Sequence, residues 1–226
     1  MPTLLITGAS SGIGAATARV AAAGGWNVAL AARREDRLKE LAGEIGETAH
    51  AIPCDVTDLA ALERAVAETE EHFGGLDALF ANAGTGGAPG GFSGADPASW
   101  RRLVDVNVLG VAHTVRAALP ALKRARGHVV LTGSVAGRRT LAGSMYSVSK
   151  WAVSAIGYNL REELRGTGVR VTLIEPGMVD TPFFDEAKPD ALRPEDVADA
   201  VVYAIGRPQH VDIHEMMVLP TPPRGD

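Results

Sequence analysis

The sequence predicts an α/β protein built on one doubly wound, mostly parallel sheet with helices on both faces. Three observations carry this. Short β-branched or Leu-rich runs alternate with longer stretches of helical periodicity along the chain, as expected of successive βαβ units. The apolar runs are continuous and do not alternate with polar residues, which suits strands covered on both sides. A glycine-rich turn lies at the first strand-to-helix junction, where such sheets receive anionic ligands.

The predicted strands are residues 3–7, 27–32, 49–53, 78–81, 128–132, 169–174 and 211–218, about seven in all. The predicted helices are 13–23, 35–44, 59–73, 98–124, 145–165 and 194–205. Several boundaries have a local cause. Gly24-Gly25 stops the first helix before Trp26, and Asp58 is placed to cap the third. Asp96-Pro97 offers an N-cap followed by proline at the first helical position. Gly166 and Gly168 end the long helix before Val169. The stretch Thr85-Gly-Gly-Ala-Pro-Gly-Gly-Phe92 reads as a flexible loop, and 219–226 as a loose tail.

Bulk composition narrows the classes. A chain of 226 residues is expected to form one domain spanning 1–226. With 46% hydrophobic and 22% charged residues it is unlike a disordered chain. The net charge of −5 gives no electrostatic reason to expect nucleic acid or an anionic membrane surface. The pairs Arg101-Arg102 and Arg138-Arg139 make no basic patch by themselves. Cys54, the sole cysteine, reads as a small buried hydrophobe and excludes a multi-thiolate metal site within the chain. No apolar run approaches the ~20 residues of a membrane helix, and no charged leader precedes the first strand. A cytoplasmic protein is expected.

The first junction reads Thr7-Gly-Ala-Ser-Ser-Gly-Ile-Gly14. Glycine permits positive φ and close approach of backbone to ligand, while free N–H groups at a helix start attract phosphate oxygens. Gly8 is expected to make the sharp turn, Gly12 the close approach and Gly14 the tight packing of helix on strand. The spacing is T-G-x-x-x-G-x-G, not G-x-G-x-x-G. It resembles the cofactor motif of the short-chain dehydrogenase/reductase family, in its short, single-domain branch with a Rossmann-type sheet. The resemblance implies a dinucleotide cradle of Gly8, Ser10, Ser11, Gly12, Ile13 and Gly14.

The end of the second strand selects the cofactor. In dinucleotide folds an acid there binds the free ribose 2′-hydroxyl of NAD(H), and an arginine accommodates the 2′-phosphate of NADP(H). Here Ala32 stands where the acid is expected, followed by Arg33 and Arg34. An arginine fork grips a phosphate that a carboxylate would repel, so NADP(H) is expected over NAD(H). The resemblance further implies Asp55 and Val56 beside the adenine, and Asn82-Ala83-Gly84 flanking the cofactor.

Tyr146 and Lys150 stand four apart in a helical segment, hence on one face. A free phenol holds its proton at neutral pH, its pKa being near ~10. A neighbouring ammonium stabilises the phenolate and is expected to lower that value. The resemblance makes Tyr146 the general acid/base and Lys150 the ribose anchor. Ser134, after the fifth strand, becomes the group that polarises the substrate carbonyl, with Ser144 a less well matched rival. Asn107 matches the family's helix asparagine, which holds a water linked to the lysine. Pro176, Gly177, Val179 and Thr181 match P-G-x-x-x-T, whose backbone and hydroxyl receive the nicotinamide carboxamide.

The resemblance covers essentially the whole chain. Ala81 replaces a frequent asparagine, and the segment between Thr181 and the last helix is short. The implied activity is NADP(H)-dependent interconversion of a small carbonyl and its alcohol, in a homodimer or homotetramer formed through the long helices. A catalytically silent NADP(H)-sensing regulator of the same fold is the alternative, against which the full Ser134, Tyr146 and Lys150 set argues. An extended epimerase or dehydratase needs more chain than the fifty residues after Pro176. The ending His214-Glu-Met-Met-Val-Leu-Pro220 resembles small hydroxy-acid and broad-specificity members. His210 and His214 fall in a predicted strand, ~13 Å apart, so no metal is expected. Trp100 and Trp151 read as packing or interface residues.

Overall fold

A computed structural model describes residues 1–87, 89–184 and 186–221. Its strands are β1 (Thr3–Thr7), β2 (Asn27–Ala32), β3 (Ala49–Pro53), β4 (Ala78–Ala81), β5 (His128–Thr132), β6 (Arg170–Pro176) and β7 (Glu215–Val218). Among the described residues they form one seven-stranded sheet in the order β3-β2-β1-β4-β5-β6-β7. Every neighbouring pair is parallel, stricter than the mostly parallel sheet expected. The order reverses between β1 and β4, where Leu5 faces Ala29 on one side and Leu79 on the other. Crossovers diverge there and leave a crevice at the carboxyl ends of the strands.

The helices are α1 (Gly12–Ala23), α2 (Glu35–Ile45), α3 (Leu59–Phe73), α4 (Gly91–Gly94), α5 (Pro97–Val104), α6 (Gly110–Ala125), α7 (Met145–Glu163) and α8 (Pro194–Ile205). Strand pleating divides the apolar residues between two cores. Leu4, Ile6, Val28 and Leu30 pack with Ala18, Leu38 and Val201 of α1, α2 and α8. Leu5, Ala29, Leu79 and Leu131 pack with Leu62, Leu122 and Val153 of α3, α6 and α7. Each fully buried leucine contributes ~1.5–3 kcal/mol of transfer free energy, so both faces hold the sheet.

Three of the expected helix boundaries are observed. Asp58 accepts from the Ala61 N–H at 3.1 Å, and Asp96 from Ala98 at 3.0 Å with Pro97 at the start of α5. Gly24 closes α1. The long helix expected over 98–124 is instead interrupted. A five-residue π turn, Asp105–Leu109, separates α5 from α6. Such turns insert an extra residue into a helix and are frequent at functional sites. Here the turn carries the buried Asn107.

The last strand is shorter than predicted, beginning at Glu215 instead of residue 211. Side chains of β6 occupy the carbonyls ahead of it: Arg170 donates to Val211 O and Thr172 to Ile213 O. His210 and His214 therefore lie outside the strand, and the His214 ring sits 3.1 Å from Val171 O. α7 ends at Glu163, before the glycines expected to end it; Gly166 and Gly168, both at φ +82°, turn the chain into β6. Residues 222–226 of the expected loose tail, and Ala88 of the expected loop, lie outside the described residues.

Candidate active site

The glycine turn is held by contacts that a Cβ would abolish. Gly8 has φ +69°, and a Cβ there would stand 2.8 Å from Ala83 Cα. A Cβ on Gly14 would stand 2.4 Å from Gly8 O, so α1 starts tight against the turn. Gly12, at φ +54°, faces Thr181, whose Cγ2 would lie 3.2 Å from an added Cβ. The strand ends are laced together behind this turn. Thr7 Oγ1 accepts from the N–H groups of Asn82 and Ala83 at 3.1 and 3.3 Å. The Asn82 amide donates to Thr7 O at 3.1 Å, and its oxygen accepts from Thr132 at 3.2 Å. One side chain thus fixes β1, β4 and β5 at the switch point.

A cavity of about 570 Å³ opens at these strand ends, within the range of small-molecule and cofactor sites. It is lined by Gly8, Ser10, Ser11, Gly12 and Ile13 of the turn, and by Arg33 and Arg34 after β2. Asp55 and Val56, then Asn82, Ala83 and Gly84, line it after β3 and β4. Ser134, Tyr146, Lys150, Pro176, Gly177, Val179 and Thr181 complete the residues expected there. Two others stand behind the wall and do not line it: Gly14, which packs, and Asn107, which braces.

The two arginines differ. Arg34 reaches back over the turn, donating to Ser10 Oγ at 3.0 Å and Ser11 Oγ at 2.8 Å. Arg33 is exposed at the cavity edge, and its charge is one of the influences on Asp55. The Asp55 carboxylate accepts from the Thr57 N–H at 2.9 Å and hydroxyl at 2.8 Å. That N–H holds the carboxyl below its usual range against the opposing effect of burial.

At the far end, Tyr146 and Lys150 share one face of α7, with Lys150 Nζ 5.8 Å from the centre of the phenol ring. Lys150 is 5% exposed and donates to Thr132 O at 2.8 Å. Burial brings its ammonium down to about 8. The Tyr146 pKa moves opposite to expectation. Burial pushes the phenol up, a hydrogen bond with Ser134 opposes it in part, and the net shift is upward. Desolvation of the phenolate outweighs its neighbours here. Ser134 caps the short helical turn Val135–Gly137, accepting from Ala136 N at 3.1 Å. Ser144 instead caps α7, accepting from Ser147 N at 3.1 Å.

Asn107 clamps the loop after β4. Its oxygen accepts from Thr85 N at 2.8 Å, while its amide donates to Thr85 O at 2.9 Å and Ser149 Oγ at 3.1 Å. The cavity also has walls that sequence reasoning missed, among them Arg102, Thr132, Phe183 and Phe184. Phe183 lies 5.6 Å, centre to centre, from the Tyr146 ring. It occupies the space a Cβ on Gly86 would need, at 2.4 Å. Two aromatics just after Thr181-Pro182 were a usable signal for a wall near the phenol. Arg102 and Val106 are one helical turn apart, but the π turn that aims them left no mark in the periodicity.

A glycine cradle, a buried Tyr–Lys pair and a serine beside the phenol thus share one cavity, as the family resemblance leads one to expect. Residues 2–192 match the model of the short chain dehydrogenase family. The sulfoacetaldehyde reductase 2 of Chromohalobacter salexigens is 40% identical, over 96% of this chain and 94% of that protein. Among solved structures, an alcohol dehydrogenase of the archaeon Thermococcus sibiricus, complexed with 5-hydroxy-NADP, superposes with a TM-score of 0.91 at 32% identity. That alignment covers 100% of this chain and 99% of the other. The 3-ketoacyl-(acyl-carrier-protein) reductase of Brucella melitensis, complexed with NADH, gives 0.89 at 29% identity, covering 96% of each. The chain belongs to the short-chain dehydrogenase family and is an oxidoreductase of alcohols and carbonyls. Among the described residues no helix is long and apolar enough to cross a membrane, and no cluster of His, Cys, Asp or Glu could hold a metal.

Proposed function

We propose that the protein reduces a small aldehyde or ketone with NADPH, with Tyr146 as proton donor, in one catalytic domain spanning the chain. The observation that carries this is the convergence of Ser134, Tyr146 and Lys150 on one cavity with the glycine turn. The residues fit a dinucleotide. Gly8 and Gly14 form a cradle that a Cβ would fill, and two guanidinium groups directly follow Ala32, which ends β2 where an acid would select NAD(H). When bound, the nicotinamide supplies the hydride that reaches the carbonyl carbon.

The chain's own groups handle the proton. A buried phenol that keeps its proton at neutral pH suits a donor to the carbonyl oxygen. Ser134 donates a hydrogen bond to that same oxygen and polarises the carbonyl. Lys150 uses one of three N–H bonds on Thr132 O; the others are free for the ribose and for the phenolate left after transfer. Asn107 holds the Thr85 backbone that borders the cavity, so it supports the site from behind. Solvent returns the proton, and one is consumed per turnover.

Arg33 and Arg34 give the preference for NADP(H). Arg34 is preset on the turn by Ser10 and Ser11, and Arg33 has no side-chain partner within hydrogen-bonding distance among the described residues, so it is available to a 2′-phosphate. The sulfoacetaldehyde reductase relative and the aromatic wall of Phe183 favour a short substrate. A homo-oligomer through α6 and α7 is supported by exposed Val148 and Trp151 on α7, and a cytoplasmic location is proposed with it. An NADPH-oxidation panel of short aldehydes, ketones and 3-oxo acids, beginning with sulfoacetaldehyde, tests the activity. The Arg33→Ala/Arg34→Ala double variant is expected to weaken NADPH binding by roughly 10–100-fold while leaving NADH unchanged. Equal affinity of the native protein for the two cofactors would remove the preference. A native protein that binds NADPH and oxidises it with no member of the panel would favour the silent regulator.

A further inference from the structure

Behind the catalytic groups lies a second polar cluster that does not line the cavity and runs from the buried Glu175 out to the exposed Tyr158. Glu175, next to last in β6, is 1% exposed. A buried carboxylate is costly unless paired and hydrogen-bonded. Its Oε1 accepts from Arg138 Nε at 2.6 Å and from Ser154 of α7 at 3.3 Å. Arg138 also bonds to Tyr158 of α7 at 2.6 Å and to Glu215 of β7. One guanidinium therefore ties together α7, β6, β7 and its own segment.

That segment is the one that carries Ser134. Arg138 directly follows the turn Val135–Gly137, which Ser134 caps. The turn is fixed from the other side too, because Ser147 donates to Ala136 O at 2.6 Å one residue after Tyr146. A Cβ on Gly137 would stand 2.7 Å from Lys150 O, and one on Gly133 would stand 3.0 Å from Glu175 Cγ. The Ser134 turn is thus wedged between Glu175 and the backbone of the Tyr146–Lys150 helix. Sequence places Arg138 and Glu175 37 residues apart, with nothing local to link them.

We infer that Arg138 and Glu175 form a positioning pair, setting Ser134 at the height on Tyr146 from which it can share the substrate oxygen. The pair touches neither substrate nor cofactor; its effect passes through Ser134. A shift of ~1 Å in such a group is enough to cost a large factor in rate. This rests on the role given to Ser134 above.

The test is a double-mutant cycle in kcat between Ser134→Ala and Glu175→Gln, with NADPH Kd measured by fluorescence titration on each protein. Glu175→Gln alone is expected to lower kcat by ~10-fold or more with Kd within ~2-fold of native. Ser134→Ala is expected to cost ~10²-fold in the native background and under ~5-fold in the Glu175→Gln background, because the serine is already misplaced there. If Glu175→Gln does not fold, Arg138→Met and Arg138→Lys replace it, lysine restoring part of the loss by keeping a cation beside Glu175. An equal cost of Ser134→Ala in both backgrounds would overturn the pair's positioning role and leave the reductase reading intact. No cost of Ser134→Ala in the native background would remove the serine's role, and the inference with it.

Discussion

The burial of Lys150, the proposed ribose anchor, comes at the expense of stability. Buried against Thr132 O, its pKa lies at about 8 instead of the ordinary 10.5. Between these values the unfolded chain binds the proton that the folded one has lost, so stability rises as pH climbs through that window. It is lower, by on the order of 3 kcal/mol, below about pH 8. Lys150→Met is expected to flatten this rise in denaturation midpoints measured across pH 7.5–10.5. A variant whose stability rises as steeply as native would contradict the burial account. The same titration bears on rate. The free enzyme loses its ammonium above about pH 8, so reductive kcat/KM is expected to fall there. The i, i+4 spacing made the Tyr146–Lys150 pair legible, yet the direction of the Tyr146 shift was not. Sequence displays the neighbouring cation but not the depth of burial that outweighs it.

At the level of elements, the glycine turn was readable because each glycine answers a local demand. Gly14 is the clearest case, standing where helix and strand meet with no room for a methyl group. Gly14→Ala must push α1 away from Gly8 O, at a cost of ~1–3 kcal/mol. Urea denaturation should register that loss, together with weaker NADPH binding; an unchanged midpoint would show that the junction is slacker than described. The π turn at Asp105–Leu109 was illegible for the opposite reason. The partners that hold it lie outside the segment: Asn107 clamps Thr85, and Gly110 comes close to Val56. Helical periodicity on either side continues almost unbroken, so a single helix was the natural reading. The early end of β7 has a similar origin, since Arg170 and Thr172 of β6 decide it.

For the whole molecule, the doubly wound sheet followed from alternating elements, continuous apolar strands and the glycine turn at the first junction, because each of these is written locally in the sequence. What brings the site together is not local. The turn after β1, the strand ends of β4, β5 and β6, and the face of α7 meet only at the reversal of strand order between β1 and β4. Motifs in family order gave most of the cavity wall, while Phe183 over the phenol and the Arg138–Glu175 pair appear only in three dimensions. At the centre of the proposed function, this assembly binds NADPH and passes a proton through Tyr146. Tyr146→Phe keeps the ring and its packing and removes only the hydroxyl. Turnover of NADPH with the best carbonyl substrate should fall by ~10³-fold or more, with NADPH Kd within ~3-fold of native. A Tyr146→Phe protein that retains a tenth or more of native kcat would contradict the account.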